Sequence, residues 1–259
     1  MRAADLRPRV CAHRGGAGSA PENTLAACRR ALEVGVEWVE VDVRFTADRV
    51  PVLLHDDTVD RTTDGRGRIR QLRWRELRQL DAGSWFSPAF RGERVPSLEE
   101  LLQLLSRFPH AGAYVEIKEE GEEGEHLAEA VVELASEGGL LQRLRVASFF
   151  EAPLQRVHQL RPQAVPVALQ DPLEFRDPVR FVRERGTGVW GPHHAAVNRE
   201  RLQVLHRAGV GVYAWTVNDP PRAVQLWRWG LGQHPEDAVA TDFPEPVRAA
   251  LDSPREGGG

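Results

Sequence analysis

Short apolar runs alternate with longer stretches of helical spacing along most of this chain. Arg9–His13 reads as a short strand, followed by a flexible loop at Gly15-Gly16-Ala17-Gly18. Thr24–Val34 carries a helical apolar pattern, with Asn23 as its expected cap and Gly35 as its stop. Two strands come next, Glu37–Val43 and Val50–Asp56, joined by a tight turn. After Pro96 the rhythm continues. Helices are expected at Leu98–Arg107, Gly124–Glu137, Glu151–Leu160, Leu173–Arg185 (broken at Pro178), Arg199–Ala208, Pro220–Trp229 and Pro246–Leu251. Between them lie strands at Gly112–Lys118, Arg145–Phe149, Val165–Leu169, Gly188–Gly191, Val210–Val217 and Ala238–Thr241. Alternation of this kind predicts a parallel sheet. With roughly eight strands, the Val50–His55 segment counted among them, it predicts an α/β fold of the (β/α)8 TIM-barrel type. No G-x-G-x-x-G follows the first strand, which argues against a dinucleotide-binding sheet.

Thr58–Pro96 breaks the rhythm. It is rich in Arg, Asp and Gly, with Trp74, Trp85 and Phe86 scattered through it and one expected helix at Arg73–Leu80. The expectation is a barrel domain over residues 1–251, with 58–96 as a small inserted subdomain after the second strand region, and a flexible tail at 252–259.

Within Glu37–Val43 the two-residue period of a strand sets Val39, Val41 and Val43 on one face and Glu40 and Asp42 on the other. Two carboxylates side by side in a protein interior repel each other and lose hydration. They demand a cation, a shared proton or a water-filled cleft.

Composition changes this picture little. The chain has 259 residues and a formal charge of −4, which lends no support to a nucleic-acid partner. No apolar run approaches the roughly 20 residues of an integral membrane segment. The N-terminus lacks a signal-peptide apolar segment, so a cytoplasmic location is expected. Cys11 and Cys28 are expected as buried thiols. Lys118 is the single lysine; every other basic side chain apart from the histidines is an arginine.

In a barrel the chemistry gathers at the carboxyl ends of the strands. There the sequence places His13-Arg14, Glu40 and Asp42, His55-Asp56, Glu116-Ile117-Lys118, Ser148-Phe149, Trp215-Thr216-Val217-Asn218 and Thr241-Asp242. Glu40, Asp42 and Glu116 can surround one hard divalent cation, Mg²⁺ or Ca²⁺. Three acids exceed what Arg14 and Lys118 neutralise comfortably. His13 and His55, on different strands of the same rim, suit general acid–base transfer. Arg14 and Lys118 beside a metal imply an anionic substrate group, with phosphate fitting best. Trp215 could wall the pocket for an organic leaving group. His193 and His194 are expected to face solvent, and Asn218 and Asp242 to cap helices.

The series Ala12-His13-Arg14-Gly15, Pro21-Glu22-Asn23-Thr24, Glu40-Val41-Asp42-Val43, Val52-Leu53-Leu54-His55-Asp56, Arg61-Thr62-Thr63-Asp64-Gly65, Glu116-Ile117-Lys118, Trp215-Thr216-Val217-Asn218 and Thr241-Asp242 resembles the glycerophosphodiester phosphodiesterase family, in the same order and over nearly the whole chain. The resemblance implies a TIM barrel with an insertion after the His55 strand. It implies Glu40, Asp42 and Glu116 as ligands of one Mg²⁺ or Ca²⁺, His13 and His55 as the acid–base pair, and Arg14 and Lys118 on the phosphate. Cys28 departs from the aromatic residue common in the family. The expected activity is metal-dependent hydrolysis of a small-molecule glycerophosphodiester, such as glycerophosphocholine, to glycerol 3-phosphate and an alcohol. Two rivals stand beside it. A lysophospholipase-D-like enzyme would need an apolar groove, which Trp85, Phe86 and Phe90 could supply. A non-catalytic phosphate-binding barrel would have no use for both histidines.

Overall fold

The computed structural model describes residues 6–174 and 176–253. Of the expected tail, 252–259, Asp252 is the last residue of a helix, and the residues past Ser253 lie outside the described ones, as does Phe175.

Among the described residues eight parallel strands close into a barrel with helices between them. They are β1 (Arg9–Ala12), β2 (Trp38–Phe45), β4 (Gly112–Ile117), β5 (Leu144–Ser148), β6 (Val167–Gln170), β7 (Val189–Pro192), β8 (Gly211–Ala214) and β9 (Ala238–Thr241). Closure is made by β1, which pairs with β2 on one side and with β9 on the other, Ala12 opposite Thr241. The strand period explains the layering. Val39, Val41 and Val43 join the large apolar layer between the strands and the surrounding helices. Trp38, Tyr114 and Tyr213 fill the barrel interior, where Tyr114 and Tyr213 stack with centroids 4.4 Å apart. Glu40 and Asp42 share the inward face with Trp38, two and four residues further along β2. Aromatic rings therefore plug the bottom of the barrel, and the acids stand above them at the carboxyl rim.

The Val50–His55 segment departs from expectation. Its strand, β3 (Pro51–Leu53), pairs antiparallel with β2, Val43 opposite Leu53, and is not one of the barrel's eight. The reason is the short connection, in which Thr46 holds Asp48 through a 2.7 Å hydrogen bond. So tight a turn can only form a hairpin, since a parallel crossover needs a dozen or more residues. The hairpin has a consequence for the site. It runs the chain back alongside β2, so that the Leu54 amide bonds to the Asp42 carbonyl at 3.0 Å and His55 emerges level with the acids.

The helices that surround the barrel are α1 (Leu25–Val34), α3 (Leu98–Leu105), α4 (Gly121–Glu137), α5 (Glu151–Leu160), α6 (Pro178–Glu184), α7 (Arg199–Arg207), α8 (Pro220–Trp229) and α9 (Pro244–Asp252). Ser97 caps α3 in a reciprocal box with Glu100. Pro178 starts α6 rather than breaking it. Asp177 caps that helix through the Arg180 amide, and a proline at the first helical position loses no hydrogen bond.

Between β3 and α3 the chain forms a single short α-turn, α2 (Trp74–Leu77), where a helix over Arg73–Leu80 was expected. Val52, Leu54, Val59, Ile69, Leu77, Ala82 and Val95 make a separate small core here. Cys11 and Cys28 are free and buried. None of the described helices is long and apolar enough to cross a membrane.

Candidate active site

His13 and Arg14 follow β1 in a short 3-10 turn, His13–Gly15. Arg14 has a positive φ of 50°, and this turns its amide onto Glu40 Oε2 at 2.8 Å. Gly15 is required next. Its φ is +80°, and a Cβ there would meet the Ala27 Cβ and the Cys28 amide of α1 at 2.9 Å. Asn23 is not the helix cap; Thr24 takes that role, accepting from the Ala27 amide. Asn23 instead grips Asp42 twice, donating Nδ2 to Oδ2 at 2.8 Å and accepting the Asp42 amide at 3.0 Å.

Glu40, Asp42 and Glu116 offer carboxylate oxygens that all lie within 4.8 Å of one another. The β2–β4 register, with Asp42 opposite Glu116, brings them together. Lys118 Nζ lies 2.6 Å from Glu116 Oε1 and 3.4 Å from Asp42 Oδ1, and Arg14 Nε lies 3.4 Å from Asp42 Oδ2. Burial would raise the Asp42 carboxyl, but Lys118 and Arg14 pull it well below the usual carboxylate range. Glu40 moves the other way: burial and the charge of Asp42 push it up. Burial also raises Glu116 despite the Lys118 ammonium. Two cations thus leave the third charge uncompensated. Glu40 Oε1 is moreover buried with no hydrogen-bond partner among the described residues. A set of oxygen donors with excess negative charge and one orphaned oxygen fits a hard divalent cation.

Both histidines are held by a carboxylate. His13 Nδ1 lies 2.7 Å from Asp242 Oδ1, and His55 Nδ1 lies 2.7 Å from Asp56 Oδ1. An ionised carboxylate only accepts, so Nδ1 carries the proton in each ring and Nε2 is left for the cavity. Burial disfavours the charged form of His13, but the Asp242 bond and the Glu40 charge outweigh it and leave its pKa raised. Burial prevails at His55, whose pKa is lowered.

Asp242 is therefore part of the site, not a helix cap, and Asn218 holds it, donating Nδ2 to Oδ2 at 2.7 Å. The signal in the sequence was barrel closure: the last strand must lie beside the first, so an acid ending β9 meets a histidine ending β1. Glu22, Asp56 and Arg61 stood in the motifs but carried no role, and Asn23 carried only that of a helix cap.

A cavity of about 200 Å³ collects His13, Arg14, Glu40, His55, Glu116 and Lys118 against an apolar wall of Ala147, Phe149, Leu169, Tyr213 and Trp215. Trp215 is fixed by its Nε1 bond to the Gly191 carbonyl, at 2.8 Å, and by edge-on packing against Phe149. His193 and His194 are half-buried rather than solvent-facing, and the His193 ring packs edge-on against Trp215 from outside the cavity. Trp85, Phe86 and Phe90 pack on one another and do not line this cavity.

Known proteins are similar to this chain over nearly its whole length. A Caldanaerobacter subterraneus glycerophosphodiester phosphodiesterase is 30% identical over 240 residues, covering 93% of this chain and 96% of its own. Bacillus subtilis YhdW is 35% identical over 240 residues, covering 91% and 95%. A solved structure of an Oleispira antarctica phosphodiesterase, in complex with the product sn-glycerol-3-phosphate, superposes with a TM-score of 0.85 at 33% identity, covering 97% of this chain and 99% of that one. The profile of the Glycerophosphoryl diester phosphodiesterase family matches residues 13–246, and the chain belongs to that family.

Proposed function

We propose that this chain is a divalent-cation-dependent phosphodiesterase that hydrolyses small glycerophosphodiesters, such as glycerophosphocholine, to glycerol 3-phosphate and an alcohol. The observation that carries this is a cavity lined by Glu40, Glu116, two cations and two carboxylate-anchored histidines, with the Asp42 carboxylate gathered beside Glu40 and Glu116. Glu40, Asp42 and Glu116 would hold Mg²⁺ or Ca²⁺. When bound, the cation polarises a phosphoryl oxygen and acidifies a bound water or hydroxyl. Arg14 and Lys118 orient the phosphate and balance its charge. His13 and His55 present Nε2 to it, one removing a proton from the nucleophile and the other protonating the leaving oxygen. The wall of Phe149, Leu169 and Trp215 excludes water and takes the organic part of the substrate.

The oxygen-only donor set supports the cation, and the sn-glycerol-3-phosphate complex of the Oleispira relative supports the product. The test is incubation with glycerophosphocholine and with lysophosphatidylcholine, each with and without chelator. Release of glycerol 3-phosphate from the first substrate alone, abolished by chelator, is expected. Release of choline from the acylated substrate at a comparable rate would favour the lysophospholipase-D-like reading, and silence on both would favour a phosphate-binding barrel.

A further inference from the structure

Arg61 follows β3 in the irregular segment and touches none of the residues that line the cavity through its own side chain except by way of two acids. Its guanidinium donates Nε to Asp56 Oδ2 at 2.7 Å and Nη2 to Asp56 Oδ1 at 3.1 Å. On its other edge Nη1 and Nη2 donate to the two Glu22 oxygens at 2.8 Å each. Both acids have a second commitment. Asp56 Oδ1 accepts from His55 Nδ1, and Glu22 Oε1 accepts from Arg14 Nη1 at 3.0 Å. The result is a continuous chain: His55, Asp56, Arg61, Glu22, Arg14 and, through Arg14 Nε, Asp42.

We infer that Arg61 is a positioning residue that sets His55 through Asp56 and Arg14 through Glu22 as one rigid unit. The inference rests on the acid–base role proposed above for His55. The site needs such a device on this side. His13 follows directly on a barrel strand and is braced by Asp242 beyond the neighbouring strand. His55 lies two residues past the end of β3, in a loop, where the Arg44 Nε bond to its carbonyl at 2.9 Å is the one hydrogen bond on its backbone among the described residues. Side chains on loops are held less accurately than those on strands unless a supporting shell locks them.

Charge and shape both require arginine here. Without the cation, Asp56 and Glu22 would face each other as like charges, and Asp56 would turn away from His55 toward water. A planar guanidinium bonds both oxygens of each of the two carboxylates along two edges at fixed spacing, whereas an ammonium is a compact point charge that cannot form such paired bonds to both acids. A bland surface ion pair is the competing explanation, because the Arg61 side chain is 44% exposed and exposed pairs contribute little to stability. The two accounts differ in what they expect of His55, not of the melting temperature.

The experiment compares wild-type protein with Arg61→Gln and Arg61→Lys by steady-state kinetics on glycerophosphocholine and by nitrogen–proton NMR of the histidine rings. For both variants kcat should fall by about 10–100-fold, the usual cost of losing a group that orients a reacting one. The His55 Nδ1–H signal should shift or vanish while that of His13 persists. In an Asp56→Asn background, Arg61→Gln should add less than about 3-fold, because groups acting through one network are not additive. Unchanged His55 signals and near-native kcat in both variants would overturn the inference and leave the phosphodiesterase reading standing. Losses that multiply fully in the double variant would also overturn it. A His55 ring signal changed in the variants, with the wild-type protein itself inert toward glycerophosphocholine, would uphold the positioning role and remove the proposed substrate.

Discussion

Replacing Asp242 with asparagine tests the histidine chemistry at constant shape. Asp242 faces two donors, His13 Nδ1–H at 2.7 Å and the Asn218 amide at 2.7 Å. Asn218 cannot simply flip, since its Oδ1 already accepts the Asp242 amide at 2.8 Å and the Thr241 hydroxyl at 3.3 Å. An asparagine has one acceptor and one NH₂ where the aspartate had two acceptors. It must therefore point its NH₂ at a donor, and the mobile partner is the His13 ring. His13 then either loses its anchor or moves its proton to Nε2, the nitrogen that faces the cavity. The lost charge-assisted bond is worth about 1.5–3 kcal/mol. At 1.36 kcal/mol per factor of ten, kcat should fall by roughly 10–100-fold. The expected KM change is small, because the phosphate contacts proposed for Arg14 and Lys118 are untouched. The assay is release of glycerol 3-phosphate at saturating glycerophosphocholine and divalent cation, with melting temperature followed alongside. Asn218→Ala should give a milder loss in kcat. An Asp242→Asn variant that keeps kcat within a few-fold of wild type would refute the argument that the carboxylate sets the His13 proton.

Other outcomes follow from the same geometry. Titrating Mg²⁺ or Ca²⁺ should raise the melting temperature of the wild-type protein, by about 2.7 kcal/mol of stabilisation at a hundredfold excess over the dissociation constant, and Glu40→Gln should lose most of that rise. Lys118→Arg should lower kcat/KM by on the order of 10²-fold with the fold kept, because a wide guanidinium cannot occupy the place of an ammonium seated 2.6 Å from Glu116 without displacing the phosphate; kinetics equal to wild type would show that charge alone matters there. Asp81 accepts from the Ser84, Gly92 and Gly83 amides and the Ser84 hydroxyl, and these bonds, the Ser84 amide first, hold its pKa well below the ordinary aspartate value. A depressed carboxyl contributes stability that is present above its unfolded value of about 3.9 and lost as pH falls toward the folded one. The melting-temperature gap between wild type and Asp81→Asn should thus be full at neutral pH and shrink below about pH 4; a gap independent of pH would sink this account.

The barrel was legible because its signals are local and periodic. The valine face of β2 and the acid face opposite follow from a two-residue repeat, and the structure buries both as that repeat requires. The hairpin at Val50–His55 was misplaced as a barrel strand because an apolar run states that a segment is buried, not which way it runs. Direction lay in the brevity of the turn before it, not in the run itself. The site divides along the same line. Glu40, Asp42 and Glu116 could be grouped because strand ends converge in any barrel. Most of the second layer of the site could not, because it depends on pairings between distant loops: Asn23 with Asp42, and Arg61 with Glu22 and Asp56. Asn23 shows how a local rule misleads. Asn before a helix is a good cap by propensity, and Thr24 is nearly as good. Tertiary context decides between them, since the buried Asp42 carboxylate needs a donor and Asn23 alone can donate to it while accepting from its amide. A polar residue that local rules assign to a routine task is thus the one to re-examine wherever the fold buries a charge nearby, because an unsatisfied buried carboxylate costs more than a cap contributes.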